Sequence, residues 1–290
     1  MPTPERFSTA QVINVSEHFF LIDCGEGTQI QLRRNKIKFG KINHIFISHL
    51  HGDHYFGLFG LISTFILLGR KKNLHIYCHP ELKNIFDFLI KYFTDEIRFE
   101  IIFHFLNYEK NEIIFENDKL TVVSFPLKHK VPTCGFLFRE KPRLRNIKKE
   151  LIESMSIPIK EIVRIKQGYD YTTEEGKTIK NRDLTIDPPP PKSYAYCSDT
   201  AYYEDIIPVI RDIDLLYHEA TFMNDMAESA ALTSHSTAVQ AATIAKKANV
   251  KKMVIGHYSL RYKDLQPVLD EARSVFKNTI AAEDGLIIDI

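Results

Sequence analysis

Sulfur is scarce in this 290-residue sequence: four cysteines, Cys24, Cys78, Cys134 and Cys197, lie far apart with no C-x-x-C pair. That spacing provides neither a disulfide framework nor a thiolate-rich zinc site, and a reducing compartment fits best. Long apolar runs are missing too. The longest, YFGLFGLISTFILL over residues 55–68, falls short of the about 20 residues an ordinary membrane helix needs. No charged-then-apolar N-terminal signal appears. The run is expected as a buried helix in a cytoplasmic protein that does not enter a membrane. There is no internal repeat and no excess of charge, since 38 Lys and Arg stand against 37 Asp and Glu, which argues against wholesale polycation binding.

Apolar runs of strand length recur: QVINV, FFLID, HIFIS, LHIYC, EIIFHF, EIIFE, LTVVSF, GFLF, SYAYC, DLLYHE, KMVIG and GLIIDI. They are rich in β-branched and aromatic residues. Helical patterns separate them at 28–36, 57–68, 81–92, 203–211, 237–248 and 264–276. EIIFE and LTVVSF read as a hairpin over Asn117 and Asp118, whereas other strands are parted by helices. This mixture predicts an α/β layered sandwich of two mixed sheets covered by helices.

Residues 139–182 break the rhythm. They hold 12 Lys or Arg and 7 Asp or Glu, so this segment carries +5 while the remainder carries −4. Its apolar residues are sparse, and prolines 188–191 return the chain to SYAYC through a stiff linker. On composition alone a solvated surface insertion is one reading.

The strongest signal is His49-Leu50-His51-Gly52-Asp53-His54, between the strand-like HIFIS and a helical run. A loop leaving a strand end can turn His49 and His51 toward one metal while Asp53 and His54 face a second, with Gly52 permitting the tight backbone. Imidazole and carboxylate without thiolate favour zinc, though manganese or iron would also bind. Two metals need more ligands, and three candidates follow other strands: His129, Asp199 and His257. All three are expected to converge at one edge of the sheets.

Together with these, FLIDCGEGTQ at 20–29, Leu127-Lys128-His129, Ser198-Asp199-Thr200, His235-Ser236-Thr237, Gly256-His257-Tyr258-Ser259 and Ala282-Glu283-Asp284-Gly285 resemble the successive motifs of bacterial tRNase Z, a metallo-β-lactamase-fold endonuclease. The resemblance runs nearly the full chain. It implies a four-layer αβ/βα sandwich, one domain over residues 1–290, with an inserted basic arm, the exosite, at about 139–190. It implies two zinc ions per subunit: His49, His51 and His129 on one, Asp53, His54 and His257 on the other, and Asp199 bridging. Asp23 would support the ligand loop. Two such ions suit in-line phosphodiester cleavage, with Asp53 managing the proton of the attacking water. The family resemblance makes His235, oriented by Glu219, the acid for the leaving 3′ oxygen; the bare sequence reads His235 equally well as the residue before a helix cap at Ser236.

The substrate so implied is precursor tRNA, cut after the discriminator nucleotide to leave a 3′ hydroxyl. Arg143, Arg145, Lys148, Lys149, Arg164 and Lys166 in the arm, and Arg6 in the first substrate loop, are the expected RNA contacts, reading phosphates and shape. In the family the arm serves the other subunit of a homodimer. Three departures stand out. The sequence starts inside that first loop, where the family has a preceding strand, which bears on the completeness of the sheet. Pro4 and Phe7 replace the usual Lys and Asn, which bears on CCA discrimination. Pro158-Ile159-Lys160-Glu161 lacks the Gly-Pro pair common in exosites. The rival readings are a thioesterase, lactonase or small-molecule phosphodiesterase of the same fold, and a noncatalytic RNA-binding scaffold.

Overall fold

A computed structural model describes residues 6–92 and 97–290; residues 2–5 of the first loop lie outside the described residues. Two compact units emerge: the larger runs to Glu116 and continues through Thr121–Phe138 and Ser193–Ile290, and the smaller comprises Asn117–Leu120 and Arg139–Lys192.

The first sheet of the larger unit orders Gln11–Val15, His18–Ile22, Ile42–Phe46, Leu74–Cys78 and Ile101–Phe105. The first pair is an antiparallel hairpin, and each later neighbour pairs parallel through a helical crossover. Its outer face is covered by Gly57–Leu67 and Pro80–Ile90, whose Leu58, Leu61, Ile62, Leu82 and Phe86 pack with Leu21, Ile45 and Ile76. The second sheet orders Thr279–Ala281, Lys252–Gly256, Leu215–Glu219, Ser193–Cys197, Cys134–Glu140, Leu120–Pro126 and Glu112–Glu116. Ala238–Lys247 and Gln266–Val275 cover it, and Ala238, Ala241, Ala242, Ala245 and Ala272 let those helices lie close on Leu216, Met253 and Ile255. Between the sheets Phe20 meets Phe115 at 5.4 Å, and Phe46 meets Phe136 at 5.4 Å and Phe138 at 5.5 Å. The layers are therefore helix, sheet, sheet, helix, the four-layer sandwich expected. Strands such as Leu215–Glu219, buried at every position, cannot alternate because both faces are covered.

Two expected elements differ. The 203–211 pattern forms only a short 3₁₀ turn, Glu204–Ile206; Pro208 supplies no amide for a longer helix, yet Ile206, Ile207 and Ile210 are buried as the pattern required. GLIIDI is no strand, and Leu286, Ile287 and Ile290 are exposed. Thr279–Ala281 already fills the slot beside Lys252–Gly256, and the chain then turns at Gly285 in the left-handed region. The apolar run 55–68 becomes the end of Gly52–Tyr55 and the helix Gly57–Leu67. Among the described residues no helix is long and apolar enough to cross a membrane.

The smaller unit has helices Lys149–Ser154 and Ile159–Lys166 and two short strand pairs, Asn146–Ile147 with Thr185–Ile186 and Tyr171–Thr172 with Thr178–Ile179. It is not a merely solvated insertion. Ile157, Ile165, Tyr171 and Leu184 form a buried cluster, flanked by Leu151, Met155 and Ile162. The buried Asn181 amide donates to the carbonyls of Ile165 at 2.6 Å and Tyr169 at 2.8 Å. Sparse apolar content hid this core because few residues, placed three or four apart, suffice for so small a unit.

Candidate metal centre

Parallel strands deliver the chemistry to one edge. Asp23 follows His18–Ile22, the His49–His54 loop follows Ile42–Phe46, His129 follows Leu120–Pro126, Asp199 follows Ser193–Cys197, Glu219 ends Leu215–Glu219, and His257 follows Lys252–Gly256. The loops lock together where Gly25 and Gly57 touch: a Cβ on Gly57 would lie 2.0 Å from the Gly25 carbonyl oxygen. Gly52 has a different role from the one expected. It opens the helix Gly52–Tyr55 without a positive φ, and an added Cβ would meet the exposed Phe56 ring at 2.4 Å, which would have to swing aside.

The convergent groups make two adjacent pockets. In one, His49 Nε2 stands 3.1 Å from His51 Nδ1 and 3.6 Å from Asp199 Oδ2. His129 Nε2 completes it, 3.3 Å from His51 Nδ1 and 3.9 Å from Asp199 Oδ2. In the other, His257 Nε2 is 3.5 Å from Asp53 Oδ2 and 3.4 Å from Asp199 Oδ1, and His54 Nε2 is 3.5 Å from the same Asp199 oxygen. Asp199 thus presents one carboxylate oxygen to each pocket. Asp199 Oδ1 and His54 Nε2 are buried without a hydrogen-bond partner, a costly arrangement that cations in the pockets would relieve. Burial opposes charge on Asp199, but the imidazoles of His257 and His54 hold its carboxyl well below the usual range. A set of five imidazoles and two carboxylates fits late divalent metals such as zinc.

Two buried carboxylates hold the rings. Asp23, at φ 54°, accepts from Ser48 N at 2.8 Å, Ser48 Oγ at 2.9 Å, Tyr196 OH at 2.7 Å and His54 Nδ1 at 2.7 Å. Fully buried Glu219 accepts through Oε1 from His235 Nδ1 at 2.9 Å and from the amides of Thr200 and Ser236 at 3.0 Å each. Its Oε2 accepts from the Thr221 amide and hydroxyl at 3.0 and 2.7 Å. Burial alone would lower the His235 pKa, but the Glu219 hydrogen bond and charge raise it. His235 packs against His129 and His257, with ring centroids 5.1 and 5.4 Å away. Ser236 is not the helix cap, because its hydroxyl donates to the Thr200 carbonyl at 2.7 Å. Thr237 caps Ala238–Lys247 in a reciprocal pair with Gln240. Sequence reasoning missed Ser48, Tyr196 and Thr221, whose residue types are too common to signal a role without three-dimensional neighbours.

Arg6 Nη2 donates to the Tyr262 carbonyl at 3.0 Å. In the smaller unit Arg143 donates to Glu140 at 2.8 Å, and Lys148 to the Asp183 carbonyl at 2.8 Å. Arg145 donates to Thr185 at 2.7 Å and pairs with Asp187. Arg164 sits 5.6 Å over the Tyr169 ring. Lys149 opens the helix Lys149–Ser154, and Lys166 closes Ile159–Lys166. Arg145 and Lys148 are thus engaged within their own unit.

A family profile described as Anti-Pycsar protein Apyc1 matches residues 3–145. That stretch holds the His49–His54 loop and His129 but ends before Asp199, Glu219, His235 and His257. Over its full length the chain is 48% identical to Ribonuclease Z of Phocaeicola vulgatus, covering 94% of that protein. Human tRNase Z, short form, superposes with a TM-score of 0.71 at 26% identity, covering 100% of this chain and 95% of that one. The metallo-β-lactamase fold protein YhfI from Bacillus subtilis superposes at 0.68 with 18% identity, over 99% and 93% of the two chains, a likeness of fold alone.

Proposed function

Because this chain belongs to the ribonuclease Z family, we propose that it cuts precursor tRNA directly after the discriminator nucleotide and leaves a 3′ hydroxyl, using two zinc ions per subunit. It is a metal-dependent endoribonuclease of tRNA 3′ processing. His49, His51 and His129 would hold one ion, Asp53, His54 and His257 the other, and Asp199 would bridge them. Divalent metal in such paired pockets supplies Lewis-acid stabilisation of the phosphate and an acidified water.

The remaining work falls to the chain. Asp53, its Oδ2 3.5 Å from His257 Nε2, would manage the proton of the attacking water. His235, its Nδ1 tied to Glu219, would direct Nε2 as the proton donor to the leaving 3′ oxygen, and the hydrogen bond and charge of Glu219 favour its protonated form. This Glu219-oriented imidazole beside the pockets is the observation that carries the reading, since the 3′ oxygen leaves as a poor alkoxide that needs a proton, whereas the thiolate released from a thioester does not. We read the smaller unit as an inserted arm of a single metallo-β-lactamase-fold domain, its basic residues gripping the tRNA in a cytoplasmic homodimer.

The test is incubation of purified protein with a 3′-extended precursor tRNA and mapping of the new end. One cut after the discriminator, lost on chelation, is expected. An intact precursor under conditions where a thioester or lactone is turned over would return the protein to the small-molecule hydrolases of this fold.

A further inference from the structure

The two buried carboxylates share a wiring pattern. Each contacts one imidazole directly and reaches a second through a hydroxyl. Asp23 contacts His54 and reaches His49 through Ser48, whose Oγ lies 3.0 Å from His49 Nδ1. Glu219 contacts His235 and reaches His257 through Thr221, whose Oγ1 lies 2.9 Å from His257 Nδ1 and 2.7 Å from Glu219 Oε2.

The Thr221 hydroxyl has one hydrogen and four neighbours: Glu219 Oε2, the His257 carbonyl at 2.9 Å, His257 Nδ1, and His235 Nδ1 at 3.3 Å. The strongest acceptor is the carboxylate, which is also the nearest. With its hydrogen committed to Glu219, the oxygen can only accept from His257, so His257 must carry its proton on Nδ1. Nε2, turned to Asp53 Oδ2 and Asp199 Oδ1 at 3.5 and 3.4 Å, is then the nitrogen left to bind a metal. His257 itself stands at φ 59°, a left-handed backbone that fixes where the ring starts but not which nitrogen bears hydrogen.

We propose that Thr221 is a positioning residue that sets the tautomer and ring angle of His257 for metal, so that Glu219 governs both the His235 proton donor and the affinity of the second metal pocket. This rests on His257 being a metal ligand, as assigned above. Partners that orient a metal-bound imidazole typically contribute 10- to 100-fold in metal affinity. Thr221→Val keeps the shape and removes the hydroxyl, whereas Thr221→Ser keeps the hydroxyl.

The experiment titrates apo protein with Zn²⁺ against a competing chelator, which reads metal affinity without activity. Thr221→Val should weaken the second equivalent by about 10- to 100-fold and leave the first within about threefold, and Thr221→Ser should restore it. In a His257→Ala background, where the second equivalent is already lost, Thr221→Val should leave the affinity of the first equivalent as it was, because its effect runs through that ring. Ser48→Ala should still weaken the other equivalent there. Unchanged zinc affinity in Thr221→Val, no rescue by serine, or a weakened first equivalent on adding Thr221→Val to His257→Ala each overturns the proposal. If Thr221→Val does not fold, Thr221→Ala carries the same comparison. Cleavage of precursor tRNA by the unmutated protein is scored separately, so failure of the functional reading is distinguishable from failure of this one.

Discussion

His235 and His257 have stacked rings 5.4 Å apart, and His235, Asp199 and His257 are close enough together to hold a metal among themselves. The partner on Nδ1 distinguishes them. His235 meets a full carboxylate, which favours a ring that keeps its proton, whereas His257 meets the Thr221 hydroxyl and turns Nε2 to Asp53 and Asp199. His257→Ala should therefore lose about one metal equivalent and all cleavage. His235→Ala should keep its metal while turnover of precursor tRNA falls about 10²- to 10⁴-fold. Metal analysis beside single-turnover cleavage checks both. Loss of metal from His235→Ala would make it a ligand instead.

At the scale of the element, the smaller unit has its own core, so it can be unfolded without touching the pockets. Ile165 is fully buried there, and Ile165→Ala should cost about 2 to 5 kcal/mol, more than so small a cluster can sustain. Precursor-tRNA affinity should then drop, and its log-log salt dependence should flatten by roughly 0.7 to 0.9 for each phosphate no longer neutralised, much as when residues 146–182 are replaced by a Gly/Ser linker. Turnover of a small activated phosphodiester should stay as it was. Binding measured across a salt series, in parallel with diester turnover, separates these effects. An unchanged salt slope in both variants would leave the basic segment without a role in RNA binding.

Across the whole larger unit, the space between the sheets contains imidazoles remote from the metal pockets. His44 stacks on His75 at 4.9 Å, meets the Phe115 ring at 4.7 Å, and has Nδ1 3.3 Å from Tyr77 OH; His75 Nδ1 in turn lies 2.9 Å from His104 Nε2. Burial first, then the neighbouring His75 and His104, lower the His44 pKa to about 4, and burial likewise lowers His104. The folded chain thus refuses a proton that the unfolded chain accepts at its ordinary value of 6.5. The stability held by neutral His44 is complete above that value and lost as pH falls toward about 4. His44→Gln should flatten the acid-side decline of the thermal midpoint between those limits. Parallel declines in the two proteins would rule His44 out as a source of acid sensitivity.

Residue chemistry alone made the pocket groups legible, since His49, His51, Asp53 and His54 are contiguous and His129, Asp199 and His257 each follow a strand. Strand-length runs likewise foretold most of two mixed sheets. The tertiary structure decided what depends on residues distant in sequence. Ser48 and Ser198, 150 positions apart, share a 2.9 Å hydrogen bond, and Tyr196 reaches Asp23 across 173. Asp199 divides its two oxygens between the pockets only because five strand ends meet around it. Hydroxyls and edge positions acquire roles from what packs against them, and no local pattern encodes that: Thr221 looks like any strand-end threonine, and GLIIDI like any edge strand, until the neighbouring strand is already paired.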